Sequence, residues 1–525
     1  MTYRINAKKS VKMEDPVMAK IVLTGATGTM GSMGLKEILK DPENVVTALV
    51  LPRERECRTV KEYADDPRVK FYWGDLTDYD AVCACVEGCD IVLHVGALVS
   101  PAADNYPELA MRVNYGSTVN IIRAIKETGG ADRIRLVYIG TVAETGDRMP
   151  PIHWERVGDP VKPSVHDYYA VSKVAAERAV IESGLKYWVS LRQTGILSKH
   201  MADIEDGIIF HNCLDNVLEY VTDYDSGVLL RNVCKTLPDD FWCHIYNIGG
   251  GESCRASFYT LLKELFRRIG ITNLDDVFEG KWFATRNFHG SYYLDGDRLN
   301  KYLRFRSGSL EYFYRFYMQK TAGIVKAAKI ITRIPCGCAL LGSVIKRRFR
   351  RLAGGERGTM NFIKKRRSEY IEPFFISEHA WKKIPRISRM THFTDWDKVV
   401  RIDHGYDETK PESELSLADL KQAAAFRGGE CLSKSMTEGD MRTPLTFRCA
   451  FGHAFTASPR LVLEGGHWCP VCERESWNYQ KMAEVNPFFA QVWYPLHDRD
   501  EEPHTYPKIV SELDAAEPSA GKKTG

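Results

Sequence analysis

The sequence predicts an α/β fold: a doubly wound parallel sheet with a smaller substrate-binding region and a C-terminal extension. Two observations carry this expectation. Apolar strand-like runs alternate with helical stretches from about residue 19 to residue 192, the pattern of strands buried on both faces by helices. The run Thr24-Gly25-Ala26-Thr27-Gly28-Thr29-Met30-Gly31 directly follows apolar Ile21-Val22-Leu23. Such a strand, glycine turn and helix bring backbone N–H groups close to a pyrophosphate, so the front of the chain is expected to hold a dinucleotide in a Rossmann-like manner.

Strands are expected at 19–24, 45–51, 69–73, 90–95, 136–139 and 189–192, with helices at 29–40, 107–128 and 168–183. Ligands bind beyond the C-terminal ends of strands in such sheets. The expected cofactor contacts are therefore Gly25, Thr27, Gly28, Thr29, Met30 and Gly31, then Arg53, Asp75, Leu76, Gly96, Ala97 and Arg192. Asp75 either accepts a hydrogen bond from an adenine amino group or caps the following helix. The second strand ends at Leu49-Val50-Leu51-Pro52-Arg53-Glu54-Arg55. No acid stands where one would bind the ribose hydroxyls of NAD, and Arg53 or Arg55 facing a 2'-phosphate tilts the choice between NAD and NADP slightly toward NADP. A solvated arginine is the alternative.

Tyr169 and Lys173 are four residues apart, which places both on one face of a helix. The Lys173 ammonium can hold the nicotinamide ribose and lower the Tyr169 pKa from its usual ~10, so that the phenol exchanges a proton near neutrality. Thr141 follows a strand and can hydrogen-bond a substrate oxygen.

These residues carry a resemblance to a family. Thr24 through Gly31, Gly74-Asp75-Leu76, His94-Val95-Gly96-Ala97, Asn114, Val137 through Thr141, Tyr169 through Lys173 and Tyr246 through Gly250 resemble the extended short-chain dehydrogenase/reductase (NAD-dependent epimerase/dehydratase) family over about residues 19–320. The resemblance implies Tyr169 as acid/base, Lys173 as its partner, Thr141 as third catalytic residue, Asn114 in a supporting role, and a homodimer formed through the long helices after the fourth and fifth strands. It also implies that segments at about 195–225 and 250–320 build the substrate site, with Gln193, Thr194, His211, Asn212 and Arg286 as candidates. Two departures stand out: Gly140-Thr141 replaces the usual hydroxyl pair, and Gln193 replaces a common proline.

The net charge of +3, with 44% hydrophobic and 27% charged residues, describes a soluble globular protein of two or three domains and points to no nucleic acid. No apolar run reaches the ~18 residues of a spanning helix, the first twenty residues carry no signal-peptide pattern, and fourteen unevenly spaced cysteines suit a reducing, cytoplasmic setting. The expected organisation is an arm at 1–18, the catalytic domain at 19–320, an amphipathic and basic connector at 321–370, a C-terminal domain at 371–508 and a flexible tail at 509–525. The apolar, basic stretch at about 322–367 is either a helix packed on the catalytic domain or a peripheral membrane contact; the packed helix is favoured.

In the C-terminal domain, Cys449, His453, Cys469 and Cys472 have the spacing of a structural Cys3His zinc site within a module at 445–480, with His467 as a competing ligand. Phe447, Phe451, Phe455 and Trp468 are expected to form its small core. The reading of the whole is an NAD(P)-dependent oxidoreductase interconverting an alcohol and a ketone on a small-molecule substrate, a bulky apolar alcohol such as a sterol being one class. The alternative is a nucleotide-sugar epimerase with tightly bound NAD. A scaffold retaining the dinucleotide fold is the non-enzymatic alternative.

Overall fold

A computed structural model describes residues 19–198, 206–320, 322–334 and 337–508; the expected N-terminal arm and C-terminal tail lie outside them. The sheet has seven parallel strands, β1 (Lys20–Thr24), β2 (Val45–Val50), β3 (Val69–Trp73), β4 (Ile91–His94), β5 (Arg135–Thr141), β6 (Trp188–Gln193) and β7 (His244–Ile248), in the order β7-β6-β5-β4-β1-β2-β3. The order reverses at β1 and β4, which opens a crevice at their C-terminal ends. The strands are apolar because both faces are covered: Ile21, Val22, Leu23, Ile91, Val92 and Leu93 are all at most 2% exposed. The covering helices include α1 (Thr29–Ile38), α2 (Ser117–Glu127), α3 (Tyr168–Ile181) and α4 (Asp223–Val233). Helices α1 and α4 pack tightly because both present glycine: a Cβ on Gly34 would meet Leu230, and one on Gly227 would meet Met33.

Beyond the sheet, α5 (Leu310–Lys320), α6 (Ala322–Ile331) and α7 (Gly337–Ala353) form the connector. One side of α7 packs as expected for a docked helix: Leu341, Ile345, Phe349 and Leu352 join the cluster around Phe210 and Phe278. Its other side exposes Leu340 and Val344. Among the described residues no helix is long and apolar enough to cross a membrane.

The C-terminal extension does not stand apart. Leu415, Leu420, Phe447, Leu461 and Cys469 belong to the same buried cluster as the strands of the main sheet. Its helix α8 (Leu417–Phe426) precedes a three-stranded sheet of β8 (Glu430–Cys431), β9 (Leu445–Arg448) and β10 (Ala454–Ala457), followed by the short helices α9 (Pro459–Leu463) and α10 (Pro470–Arg474). Polar ties cross to the catalytic part: Arg178 Nη2 donates to the Trp468 carbonyl at 2.6 Å and Ser458 donates to Glu182. The extension thus lies against α3, one of the helices through which the resemblance expects a homodimer.

Candidate active site

Gly25 adopts φ +69, and a Cβ there would stand 2.7 Å from Gly96 Cα. The loops after β1 and β4 therefore touch backbone to backbone, which only glycine permits. Beneath them Thr24 Oγ1 accepts from Gly96 N at 2.9 Å and contacts His94 Nδ1 at 3.0 Å, while His94 Nε2 reaches Thr118. Burial drives the His94 pKa down to about 3, so the imidazole is a neutral strut. Thr29 and buried Met30 open α1, and a Cβ on Gly31 would collide with the Gly25 carbonyl. Leu76 lies over Gly96, beside Ala97. Asp75 Oδ1 accepts from the amide and hydroxyl of Thr77, so it shapes its own turn, whereas Asp78 caps the next helix.

The sequence places no acid at the end of β2, yet the fold brings one to the glycine loop. Glu54 Oε1 accepts from the Thr27 hydroxyl at 3.1 Å, and Oε2 accepts from Leu51 N at 3.2 Å. The short 3-10 turn Pro52–Glu54 folds the chain back and supplies that carboxylate. Arg53 is exposed, and Arg55 lies over the Trp73 ring at 4.9 Å.

Helix α3 carries Tyr169 and Lys173 one turn apart, and its N-terminus is capped by Asp167, which accepts from Ala170 N. Burial raises the Tyr169 phenol above its ordinary value, and a hydrogen bond with Thr141 opposes this. Lys173 is 2% exposed, with its ammonium 4.1 Å from the Tyr138 ring centroid. Burial lowers its pKa to about 8, against the pull of Glu144 and Glu177. Thr141 ends β5, and its amide donates to Glu144 Oε1 at 2.9 Å. Asn114 sits in a π-helical turn, Met111–Gly116. Its amide bonds both backbone groups of Leu98 and donates to Ser172 Oγ at 2.8 Å, fastening the loop after β4 to α3.

Arg192, assigned from sequence to the cofactor, is engaged elsewhere through Nε and Nη2, while its buried Nη1 has no hydrogen-bond partner. Its guanidinium, 1% exposed, binds Glu177 through Nε at 3.1 Å and Nη2 at 2.6 Å, faces Glu144 at 3.2 Å and donates to the Gly465 carbonyl at 2.8 Å. Burial would raise Glu177, but Arg192 and then His467 hold its carboxyl well below the usual range; burial and Glu177 raise Glu144.

At the end of β6, Gln193 Oε1 and Thr194 Oγ1 are buried without a hydrogen-bond partner, as is the Tyr293 hydroxyl. Orphaned polar atoms of this kind suit a bound polar group. The other substrate candidates hold structure. His211 Nε2 meets the Arg357 carbonyl at 2.8 Å, and Asn212 Oδ1 accepts from Asn216. Arg286 is 6% exposed and binds Glu501, His497 and the carbonyls of Glu372 and Pro373.

In the extension the hairpin turn between β9 and β10, with Gly452 at φ +86, supplies Cys449 and His453, while Cys469 and Cys472 open α10. Cys449 Sγ lies 3.8 Å from Cys472 Sγ, and His453 Nδ1 lies 3.5, 3.7 and 3.3 Å from the sulfurs of Cys449, Cys469 and Cys472. Tetrahedral zinc with Zn–S bonds of ~2.3 Å requires sulfurs about 3.8 Å apart, so the donor set fits that ion. His467 is not in this cluster; its Nε2 meets Glu177 instead. Phe447, Phe455 and Trp468 form the small core, but Phe451 is 44% exposed because it occupies the hairpin tip.

The family model described as NAD dependent epimerase/dehydratase family matches residues 21–219, from β1 past the end of β6. Over this segment the chain is similar to that family. Similar proteins include a UDP-glucose 4-epimerase of Rickettsia bellii, 29% identical over 20% of this chain and 32% of that protein. Vestitone reductase of Medicago sativa is 27% identical over 31% of this chain and 53% of that protein. The decarboxylating sterol-4-alpha-carboxylate 3-dehydrogenase of Bos taurus is 31% identical over 23% of this chain and 33% of that protein. The chain thus spans between a third and about half of the length of these relatives. A UDP-glucuronic acid 4-epimerase structure from Bacillus cereus, with UDP-glucuronic acid and NAD, superposes at TM-score 0.45 and 18% identity over 57% of this chain and 99% of that one.

Proposed function

We propose that the protein is an oxidoreductase that interconverts an alcohol and a ketone with a nicotinamide dinucleotide, NAD in preference to NADP. We further propose that it acts on a bulky apolar alcohol such as a sterol. The observation that carries the chemistry is the placement of Tyr169 and Lys173 one turn apart on α3, with Thr141 at the end of β5. When bound, the nicotinamide supplies the hydride acceptor for oxidation and the donor for reduction. Thr141 holds the substrate oxygen, and Tyr169 takes its proton as the carbonyl forms or returns it in reduction. Burial opposes ionisation of Tyr169, so the Lys173 charge, present below about pH 8, must offset it. Asn114 positions α3 against the loop after β4. Glu54 supports NAD, because a carboxylate accepts from ribose hydroxyls and repels a 2'-phosphate.

Two features support the apolar substrate. Ile330, Leu340 and Val344 are 54%, 65% and 60% exposed, among exposed Lys326, Lys329 and Arg347; no acid occurs between Glu311 and Glu356 in the sequence, and Glu279 pairs with exposed Arg350 at 2.7 Å. Such a surface fits anionic lipid, from which an apolar alcohol would be drawn. A nucleotide-sugar epimerase, by contrast, needs a cation for its diphosphate, and Arg286 is occupied by Glu501. The Cys449, His453, Cys469 and Cys472 cluster is read as a structural zinc site. The test is incubation of the full chain with NAD and either a 3-hydroxysterol or a UDP-sugar. Reduced nicotinamide should accumulate with the sterol and vanish in Tyr169→Phe, which should still bind NAD. Inversion of the sugar without net cofactor reduction would overturn the reading in favour of an epimerase.

A further inference from the structure

The charged cluster behind the catalytic residues is completed by the extension. Glu177 follows Lys173 by one helical turn on α3. Its carboxylate is shared between Arg192 of β6 and His467, and both Glu177 and His467 are 0% exposed. Since a carboxylate only accepts, His467 Nε2 donates to it, at 3.0 Å. On its other edge His467 Nδ1 faces Glu473 at 3.9 Å, and Glu473 in turn accepts from Trp468 N and Arg178. The Gly465 carbonyl takes a further proton of Arg192. Without the extension Arg192 would lose that acceptor and Glu177 one of its donors, inside a water-excluded pocket where each lost partner is costly. The cluster reaches the reacting groups directly: Glu144, facing Arg192, fixes the Thr141 amide, and Lys173 lies in the field of both carboxylates.

What holds Gly465 and His467 in place is the segment that ends in the donor cluster. His467 and Trp468 lead straight into Cys469, and Trp468 packs edge-on against Phe455 of the hairpin that bears Cys449 and His453. We propose that His467 and the Gly465 carbonyl are positioning groups for the active site, and that a metal ion on Cys449, His453, Cys469 and Cys472 clamps them against Glu177 and Arg192. The extension then serves catalysis, as the metal-stabilised back wall of the site. This rests on the oxidoreductase reading for its kinetic arm and on the donor geometry for its structural arm.

The test uses the full chain, wild type, His467→Ala and His467→Gln, each first assayed for metal content. All three should hold one zinc per chain, because His467 is not a ligand. His467→Ala should lower kcat by about tenfold or more while KM for the dinucleotide changes less than about threefold, and His467→Gln, which restores a donor, should recover most of the loss. Removing metal with a chelator should raise hydrogen exchange across 168–181 while leaving 45–50 and 69–73 protected. A His467→Ala enzyme with wild-type kcat, or metal removal that opens 445–475 without touching 168–181, would overturn the proposal. If no form turns over any alcohol, the oxidoreductase reading has failed separately, and the exchange experiment alone decides this one.

Discussion

Replacing Glu464 by Gln probes the joint between extension and sheet. Glu464 caps α9 and is 13% exposed. Its carboxylate accepts from His244 at 2.8 Å and from the amide of Ile245 at 3.2 Å, both on β7, and pairs with Arg460 within the extension. Burial would raise this acid, but Arg460 and His244 lower it from 4.5 to about 2. The stability this represents is present above the unfolded pKa and is lost as pH falls through the folded one. A shift of that size corresponds to about 3 kcal/mol near neutrality, and integration leaves roughly half of it at about pH 3. Glu464→Gln should therefore be destabilised by ~3 kcal/mol in urea unfolding at about pH 7, and the gap should halve by about pH 3. A difference below ~1 kcal/mol at neutrality, or one that does not shrink with acid, would refute the reasoning, because it would mean that the charge on Glu464 is not what secures the joint.

Three further outcomes follow from the site. Glu54→Gln should weaken NAD binding by about tenfold to a hundredfold, the worth of a charged hydrogen bond, and narrow the preference over NADP; titration of both nucleotides reads this. Asn114→Ala should lower turnover by about tenfold or more through loss of three hydrogen bonds between the β4 loop and α3, with less than about a twofold change in NAD affinity, checked by steady-state kinetics and direct binding. Paired Arg347→Glu and Arg350→Glu should abolish cosedimentation with vesicles containing phosphatidylserine, while the wild type binds them and ignores neutral vesicles.

Much of the site was legible because it depends on local spacing. The glycine loop and the Tyr169–Lys173 pair follow from residues a few positions apart, and four zinc-type donors announce themselves by pairing. Glu54 was not legible: a short 3-10 turn after Leu51 returns it to Thr27, and no periodicity marks such a turn. Arg192 and Arg286 were assigned to ligands because each was read from the neighbourhood of its own strand or loop. Their partners Gly465, Glu177 and Glu501 come from other elements, two of them from the extension, and that pairing is invisible to local pattern. Phe451 was placed in a core by composition, whereas the φ of Gly452 turns the hairpin tip outward.

The bond between Arg192 and Gly465 spans 273 positions, and that between Glu177 and His467 spans 290. During synthesis the sheet through β7 is available long before its last two partners leave the ribosome. At the ~5–20 residues per second of translation, the newborn sheet half waits on the order of ten seconds with Arg192 and Glu177 incompletely paired. Expression of the first 320 residues alone makes that interval permanent. Such a fragment is expected to collect in inclusion bodies or on chaperones, and supplying the remainder as a separate polypeptide in the same cell should rescue it.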